Sequence, residues 1–137
     1  MVNRAVLDAR LERLRTYLSV LDKTLEYDIE RFCADPFIYS TAERNLHLAI
    51  ECLLDIGNHI IADSGHPKPE SYADIFRTLK DQGVVSAALF SEIDGMAAFR
   101  NLLVHDYVKI DHHQVYRILN SKLPGLKMLA SVYAELI

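Results

Sequence analysis

Residues 42–62 read AERNLHLAIECLLDIGNHIIA, and their apolar side chains determine the fold. One set of them recurs every three or four residues, which is the spacing of a single helix face. A helix that is apolar over more than one stripe contacts more than one neighbour, either inside a bundle or across a subunit interface, and the pattern predicts such a helix over Ser40–Asp63. The main stripe is Ala42, Leu46, Ala49, Leu53, Ile56 and Ile60, and Leu48, Ile50, Leu54 and Ile61 widen it.

The sequence on either side of this segment predicts two further helices. Leucines spaced by three, four or seven residues indicate a long first helix between Arg4 and Phe32. Asp35-Pro36 ends it, because the residue before a proline disfavours the helical conformation. Residues 64–69, SGHPKP, are typical of a loop. Ser71 can then cap a short third helix that ends near residue 83.

The remaining helices are predicted in the C-terminal part of the chain. Ser86 can cap a fourth helix that runs to about Tyr107, and Asp111 can cap a fifth that continues to the C-terminus with a kink before Pro124. We find no useful length of strand-like alternation. We therefore predict an all-α fold, an antiparallel bundle of four to five helices forming a single domain over residues 1–137.

Composition limits the classes of function. Half of the 137 residues are apolar, enough for one core, and no run approaches the ~18 apolar residues of a membrane span. The N-terminus mixes charges into every turn, unlike a signal peptide, so we expect a soluble, cytoplasmic protein with Cys33 and Cys52 as reduced thiols. The net charge of −4 provides no general attraction to nucleic acid or to anionic membranes. Any phosphate contact therefore requires a local basic pocket.

The predicted fourth helix contains an anomaly. Arg100 and Tyr107 lie inside its apolar arc, although an arginine keeps its charge and is costly to bury without a partner. Arg100 therefore needs an ion pair, with Asp55 or Glu51 as candidates, a path for its head to solvent, or a water-filled cleft. The arc consists of Leu89, Ile93, Met96, Ala97, Leu103 and Val104.

His105 follows Arg100 by five residues, roughly 140° around an ideal helix, so the two do not share a face. They can still converge, because arginine is long and residues 106–111 look like the end of the helix. A histidine in a helix is also a common structural residue. The residues alone leave both interpretations of His105 open.

The segment FRNLLVHDY, residues 99–107, has the form R-x-x-x-x-H-x-Y near the end of the fourth helix and resembles the HEPN superfamily. More narrowly, it resembles the HepT toxins. The predicted second helix adds Glu43-Arg44 near its start and Ile-Gly-Asn-His-Ile, residues 56–60, near its end, so most of the chain is covered. The resemblance implies a HEPN-type bundle that forms a homodimer, with two copies of the motif facing a shared cleft.

The resemblance also implies an activity and a partner. It implies a metal-independent endoribonuclease toxin with no cofactor, in which Arg100 and His105 are catalytic and Asn101 supports them. Tyr107 is then the residue to which a partner antitoxin, a MntA-type nucleotidyltransferase, transfers AMP. A larger hetero-oligomer with that antitoxin stays an open alternative to the simple homodimer.

The chemistry of the two residue types suits RNA cleavage by its own 2′-hydroxyl. Histidine, with an unperturbed pKa of about 6.5, can take or give a proton, so His105 is predicted to act as acid or base. Arginine can donate two hydrogen bonds to phosphate oxygens, so Arg100 is predicted to stabilise the transition state. In a two-fold dimer one His105 could act as base and its symmetry mate as acid. AMP on Tyr107 would add a negative phosphate that repels RNA and competes for Arg100.

Other candidates have weaker signals. Asn58 and His59 could reach the cleft as supporting residues, or could belong to a polar helix face. Lys109 could add positive charge for RNA, as could His112, His113 and Arg117, or all four could be solvated. Adjacent histidines on a helix point about 100° apart, so we expect no metal there.

Two rival functions stay open at this point. One is a non-catalytic HEPN module that binds a nucleotidyltransferase partner or a nucleotide. The other is a purely structural helical dimer, which leaves Arg100 unexplained unless an internal carboxylate pairs with it.

Overall fold

The structure, a computed structural model, describes residues 3–105 and 110–137. All its regular elements in these ranges are helices, which confirms the predicted all-α bundle. They are α1 (Arg4–Thr24), α2 (Ile29–Ala34), α3 (Pro36–Asp63), α4 (Tyr72–Asp81), α5 (Ala87–Ile93), α6 (Met96–His105) and α7 (His112–Leu136).

The predicted first helix is two helices, α1 and α2, because an aspartate between them caps the start of a new helix. The side chain of Asp28 accepts a hydrogen bond from the Arg31 backbone N–H at 2.8 Å and caps α2. The next helix then begins four residues earlier than predicted. Asp35 accepts from the Phe37 N–H at 2.9 Å, and Pro36 occupies the first turn of α3. Asp35-Pro36 therefore both ends one helix and starts the next, since proline suits the first turn of a helix.

The predicted fourth helix is also divided. Gly95 has a φ of 87°, a left-handed conformation that glycine adopts without strain, and it separates α5 from α6. The described part of α6 ends at His105, and the predicted helix end at Tyr107 lies outside the described residues. Arg100 and His105 both lie on α6, after this break.

The α3 helix is central to the bundle, and the predicted contact with more than one neighbour is met inside the bundle. It contacts α1, α2, α4, α6 and α7, so it is covered on several sides. Tyr133 of α7 is fully buried against it and donates a hydrogen bond from its hydroxyl to the Leu53 carbonyl at 2.9 Å. Gly57 permits this approach, since a Cβ there would lie 2.7 Å from the Tyr133 Oη.

Two expectations from composition can be compared with the described residues. Cys33 and Cys52 are free thiols, each half-buried. Among residues 3–105 and 110–137, no helix is both long enough and apolar enough to cross a membrane.

Candidate active site

An open groove of about 720 Å³ lies between α3, the α3–α4 connection, α4 and α6. Arg100 and His105 both line it, from the same helix, and Asn101 lines it beside them. Asn58 of α3 lies on another wall. The rest of the lining is Asp55, Lys68, Pro69, Glu70, Ser71, Tyr72, Ala73, Ile75, Ala97 and Ala98.

Arg100 is held by three neighbours. Its Nη2 donates to Glu51 Oε1 at 2.8 Å, and its Nη1 donates to Asn101 Oδ1 at 3.0 Å. The guanidinium carbon lies 5.1 Å from the centroid of the Tyr72 ring, within the range of a cation–π contact. Only 12% of the Arg100 side chain is exposed. The sequence left Glu51 and Asp55 open as partners for this arginine, and the structure selects Glu51.

Glu51 contacts the Arg100 guanidinium through a single nitrogen, Nη2. The Arg100 Nε is buried and has no hydrogen-bond partner among the described residues. A guanidinium carries five N–H donors, of which Glu51 and Asn101 take one each. Among the described residues, one donor therefore remains on each Nη nitrogen, and two donors are the number needed for a two-point contact with a phosphate.

The second oxygen of Glu51 contacts His47, one helical turn earlier on α3, with Nε2 and Oε2 at 3.0 Å. Arg44 Nη1 lies 3.4 Å from the His47 Nδ1, and an arginine can only donate, so Nδ1 accepts and the ring proton sits on Nε2, facing Glu51. Burial lowers the pKa of His47, which favours this neutral form. Partial burial raises the pKa of Glu51, but the hydrogen bond and charge of Arg100, with the hydrogen bond from His47, outweigh it and leave the pKa below its usual value.

The two supporting residues predicted on α3, Asn58 and His59, lie on different faces of the helix. Asn58 lines the groove, but His59 does not. The His59 Nε2 accepts a hydrogen bond from Arg10 Nη1 of α1 at 2.6 Å. Consecutive residues point about 100° apart on a helix, so His59 faces α1 while Asn58 faces the groove.

The predicted RNA-binding residues around the start of α7 are not part of the groove lining. His112 contacts the Glu43 carboxylate through Nδ1 at 2.5 Å and stacks on the Tyr39 ring, with centroids 3.7 Å apart. His113 lies 3.7 Å from the carboxylate of Asp111. Arg117 is exposed.

Two of the predicted site residues, Tyr107 and Lys109, lie outside the described residues. Within the ranges 3–105 and 110–137, no group of three or more histidine, cysteine, aspartate or glutamate side chains is placed to hold a metal ion.

Sequence reasoning missed two residues of the site, His47 and Tyr72. The spacing of His47 and Glu51, four residues apart on a helix, was a usable signal, because such residues are neighbours on one face. Tyr72 carried no signal. It meets Arg100 only because α4 packs beside α6.

Comparison with known proteins identifies relatives over most of the chain. A family model described as ribonuclease HepT-like matches residues 11–132. YutE of Bacillus subtilis (strain 168), provisionally named an RNase, is 36% identical over 81 residues, which make up 59% of this chain and only 56% of YutE. The tRNA nuclease HepT of Aphanizomenon flos-aquae (strain 2012/KM1/D3) is 25% identical over 122 residues, covering 89% of this chain and 83% of the relative.

Solved structures agree with this assignment. YutE, described as a cytosolic protein of unknown function, superposes with a TM-score of 0.86 at 27% identity, covering 98% of this chain and 90% of that chain. A tri-AMPylated HEPN toxin of Shewanella oneidensis, in complex with an MNT antitoxin, has the same fold, with a TM-score of 0.85 at 21% identity and coverage of 98% and 99%. The predicted resemblance to the HepT toxins is thereby confirmed at the level of the family. Because the family model matches well over half of the chain, this protein belongs to the ribonuclease HepT-like family.

Proposed function

We propose that this protein is the toxin of a toxin–antitoxin pair, a metal-independent endoribonuclease of the cytoplasm. The observation that carries the proposal is that Arg100 and His105 line one open groove, while the guanidinium keeps a donor on each Nη nitrogen that no described residue takes. The name of the Aphanizomenon relative, a tRNA nuclease, supports the same reaction class. RNA is the proposed substrate because its own 2′-hydroxyl can serve as the nucleophile, so that cleavage needs no metal.

The reaction proceeds by proton transfer and charge stabilisation. A histidine base, His105, removes the proton from the 2′-hydroxyl, whose oxygen attacks the adjacent phosphorus and displaces the 5′-oxygen of the next nucleotide. Arg100 donates to the phosphate oxygens as charge builds in the transition state. The leaving oxygen takes a proton from a second histidine, which a homodimer supplies as the partner copy of His105. Asn101 and Asn58 support the site from the groove wall, where both are found.

The proposed regulation acts on Tyr107, two residues after His105 in the R-x-x-x-x-H-x-Y motif. A MntA-type nucleotidyltransferase antitoxin transfers AMP to its hydroxyl. The description of the Shewanella oneidensis toxin as tri-AMPylated and bound to an MNT antitoxin supports this partner class. The added phosphate carries negative charge and opposes the approach of RNA.

Cleavage of RNA by the purified protein in the presence of a metal chelator tests the proposal. We expect Arg100→Ala to lower kcat/KM by about 10²–10³ and His105→Ala by about 10²–10⁴, since each removes one catalytic contribution. Arg15→Ala and His66→Ala are matched controls, because both residues are exposed and neither lines the groove. Circular dichroism and sedimentation establish that every variant stays folded and dimeric.

A second function has one observation in its favour. The ion pair between Arg100 and Glu51 gives the arginine an internal partner, which a purely structural helical dimer requires and which a non-catalytic HEPN module that binds a nucleotidyltransferase or a nucleotide also allows. Equal cleavage by the wild type and both alanine variants would remove the catalytic assignment in favour of this module.

A further inference from the structure

The environment of Arg100 differs from that of an arginine that merely needs charge compensation. A compensating carboxylate commonly takes two N–H groups of the guanidinium side by side. Here Glu51 contacts only Nη2, and its other oxygen is turned to His47. The Arg100 Nε is left without an acceptor among the described residues. The contacts therefore fix the orientation of the guanidinium without taking up all of its donors.

The contacts restrain the guanidinium from three directions. Glu51 holds one Nη nitrogen, Asn101 holds the other, and the Tyr72 ring lies against the planar face. His47 in turn restrains Glu51, which is itself 36% exposed and would otherwise have rotational freedom. A side chain with four rotatable bonds is thus held in one orientation before any ligand arrives. A catalytic group that is already oriented loses less conformational entropy in the transition state, which lowers the barrier of the chemical step.

We propose that Glu51, braced by His47, is a positioning residue for Arg100 and orients its free Nη donors toward the phosphodiester of an RNA bound in the groove. The inference rests on the proposed function. Glu51 acts through Arg100 and is not itself a catalytic residue. Its contact leaves donors for a phosphate, because one donor on Nη1 and one on Nη2 are not used by Glu51 or Asn101.

Steady-state kinetics of Glu51 variants test this proposal. Glu51→Ala should lower kcat by roughly 10–100-fold, the effect of a misplaced catalytic group, with KM within about threefold of wild type. Glu51→Gln should recover part of the loss, because an amide oxygen can still accept from Nη2. Asp22→Ala is the matched control, since it removes a carboxylate from an interhelical ion pair with Lys127 that does not line the groove. It should leave both constants unchanged.

Two kinetic outcomes would overturn the proposal. A lower KM with unchanged kcat in Glu51→Ala would mean that the carboxylate competes with substrate for Arg100. A lower melting temperature with unchanged kcat and KM would mean that the ion pair is only structural.

A second measurement does not depend on cleavage. The guanidinium nitrogen–proton NMR signals of Arg100 should be separate and slowly exchanging in the wild type and averaged in Glu51→Ala. If they are equally averaged in both proteins, the positioning role is wrong. If the wild type cuts no RNA but the signals still differ, the nuclease proposal fails while the orientation of Arg100 by Glu51 stands.

Discussion

At the scale of single residues, the most informative side chain is His47. Burial lowers its pKa from the usual 6.5, so between that value and its lower folded pKa the unfolded chain binds a proton that the folded chain does not. The free energy of unfolding should therefore rise with pH across this window, and acidification below about pH 6.5 should remove the contribution. His47→Gln keeps an N–H for Glu51 but cannot titrate. We expect its stability to depend less steeply on pH than that of the wild type.

Urea unfolding at a series of pH values measures this slope. His66→Gln is the control, because His66 lies in an exposed loop and its replacement should leave the slope as in the wild type. Identical slopes for the wild type and His47→Gln would contradict the prediction. The comparison isolates His47 from the other five histidines, which all proteins in the series except the control retain.

At the scale of elements, the contact between α3 and α7 depends on Gly57. Alanine normally stabilises a helix relative to glycine by ~1 kcal/mol. In Gly57→Ala, however, the new Cβ would lie 2.7 Å from the Tyr133 Oη and 3.0 Å from side-chain carbons of Ile75 and Leu79. We expect overpacking to dominate and to destabilise the protein by about 1–3 kcal/mol, measured by thermal or urea unfolding.

A double-mutant cycle with Tyr133→Phe checks the cause. Phenylalanine lacks the Oη that makes the closest contact, so Gly57→Ala should be less destabilising in that background. The single Tyr133→Phe change should itself cost about 1 kcal/mol through the lost hydrogen bond to Leu53. A stabilising effect of Gly57→Ala, as in an unobstructed helix, would show that α7 does not approach α3 this closely.

At the scale of the whole molecule, net charge bears on the proposed regulation. A net charge of −4 gives RNA no general attraction, so we expect RNA binding to depend on the groove. AMP on Tyr107 adds a further negative phosphate. After co-expression with a MntA-type nucleotidyltransferase, we expect mass spectrometry to locate AMP on Tyr107 and RNA cleavage to fall by at least about tenfold, or ~1.4 kcal/mol.

Tyr107→Phe is the decisive variant for this prediction, because it removes only the hydroxyl that accepts AMP. It should cleave RNA alone and keep cleaving it after co-expression. Silencing of Tyr107→Phe to the same extent as the wild type would place the regulation elsewhere, for instance in simple occlusion of the groove by the antitoxin.

Periodicity alone determined the all-α class, the wide apolar surface of α3 and the anomaly of Arg100, because apolar spacing records which face of a helix is buried. The extended motif over residues 99–107, together with the pattern of the second predicted helix and the chain length, was also sufficient to recognise the family. Helix boundaries were predicted less well from the sequence. Asp28 starts a helix through its side-chain cap, and Gly95 ends one through its backbone angle, although the apolar pattern continues across both.

Only the tertiary structure decided between Glu51 and Asp55 as the partner of Arg100, brought Tyr72 to the face of the guanidinium and turned His59 toward Arg10. Each of these contacts joins residues far apart in the chain. Their geometry depends on how α1, α3, α4 and α6 pack, which no local spacing in the sequence encodes.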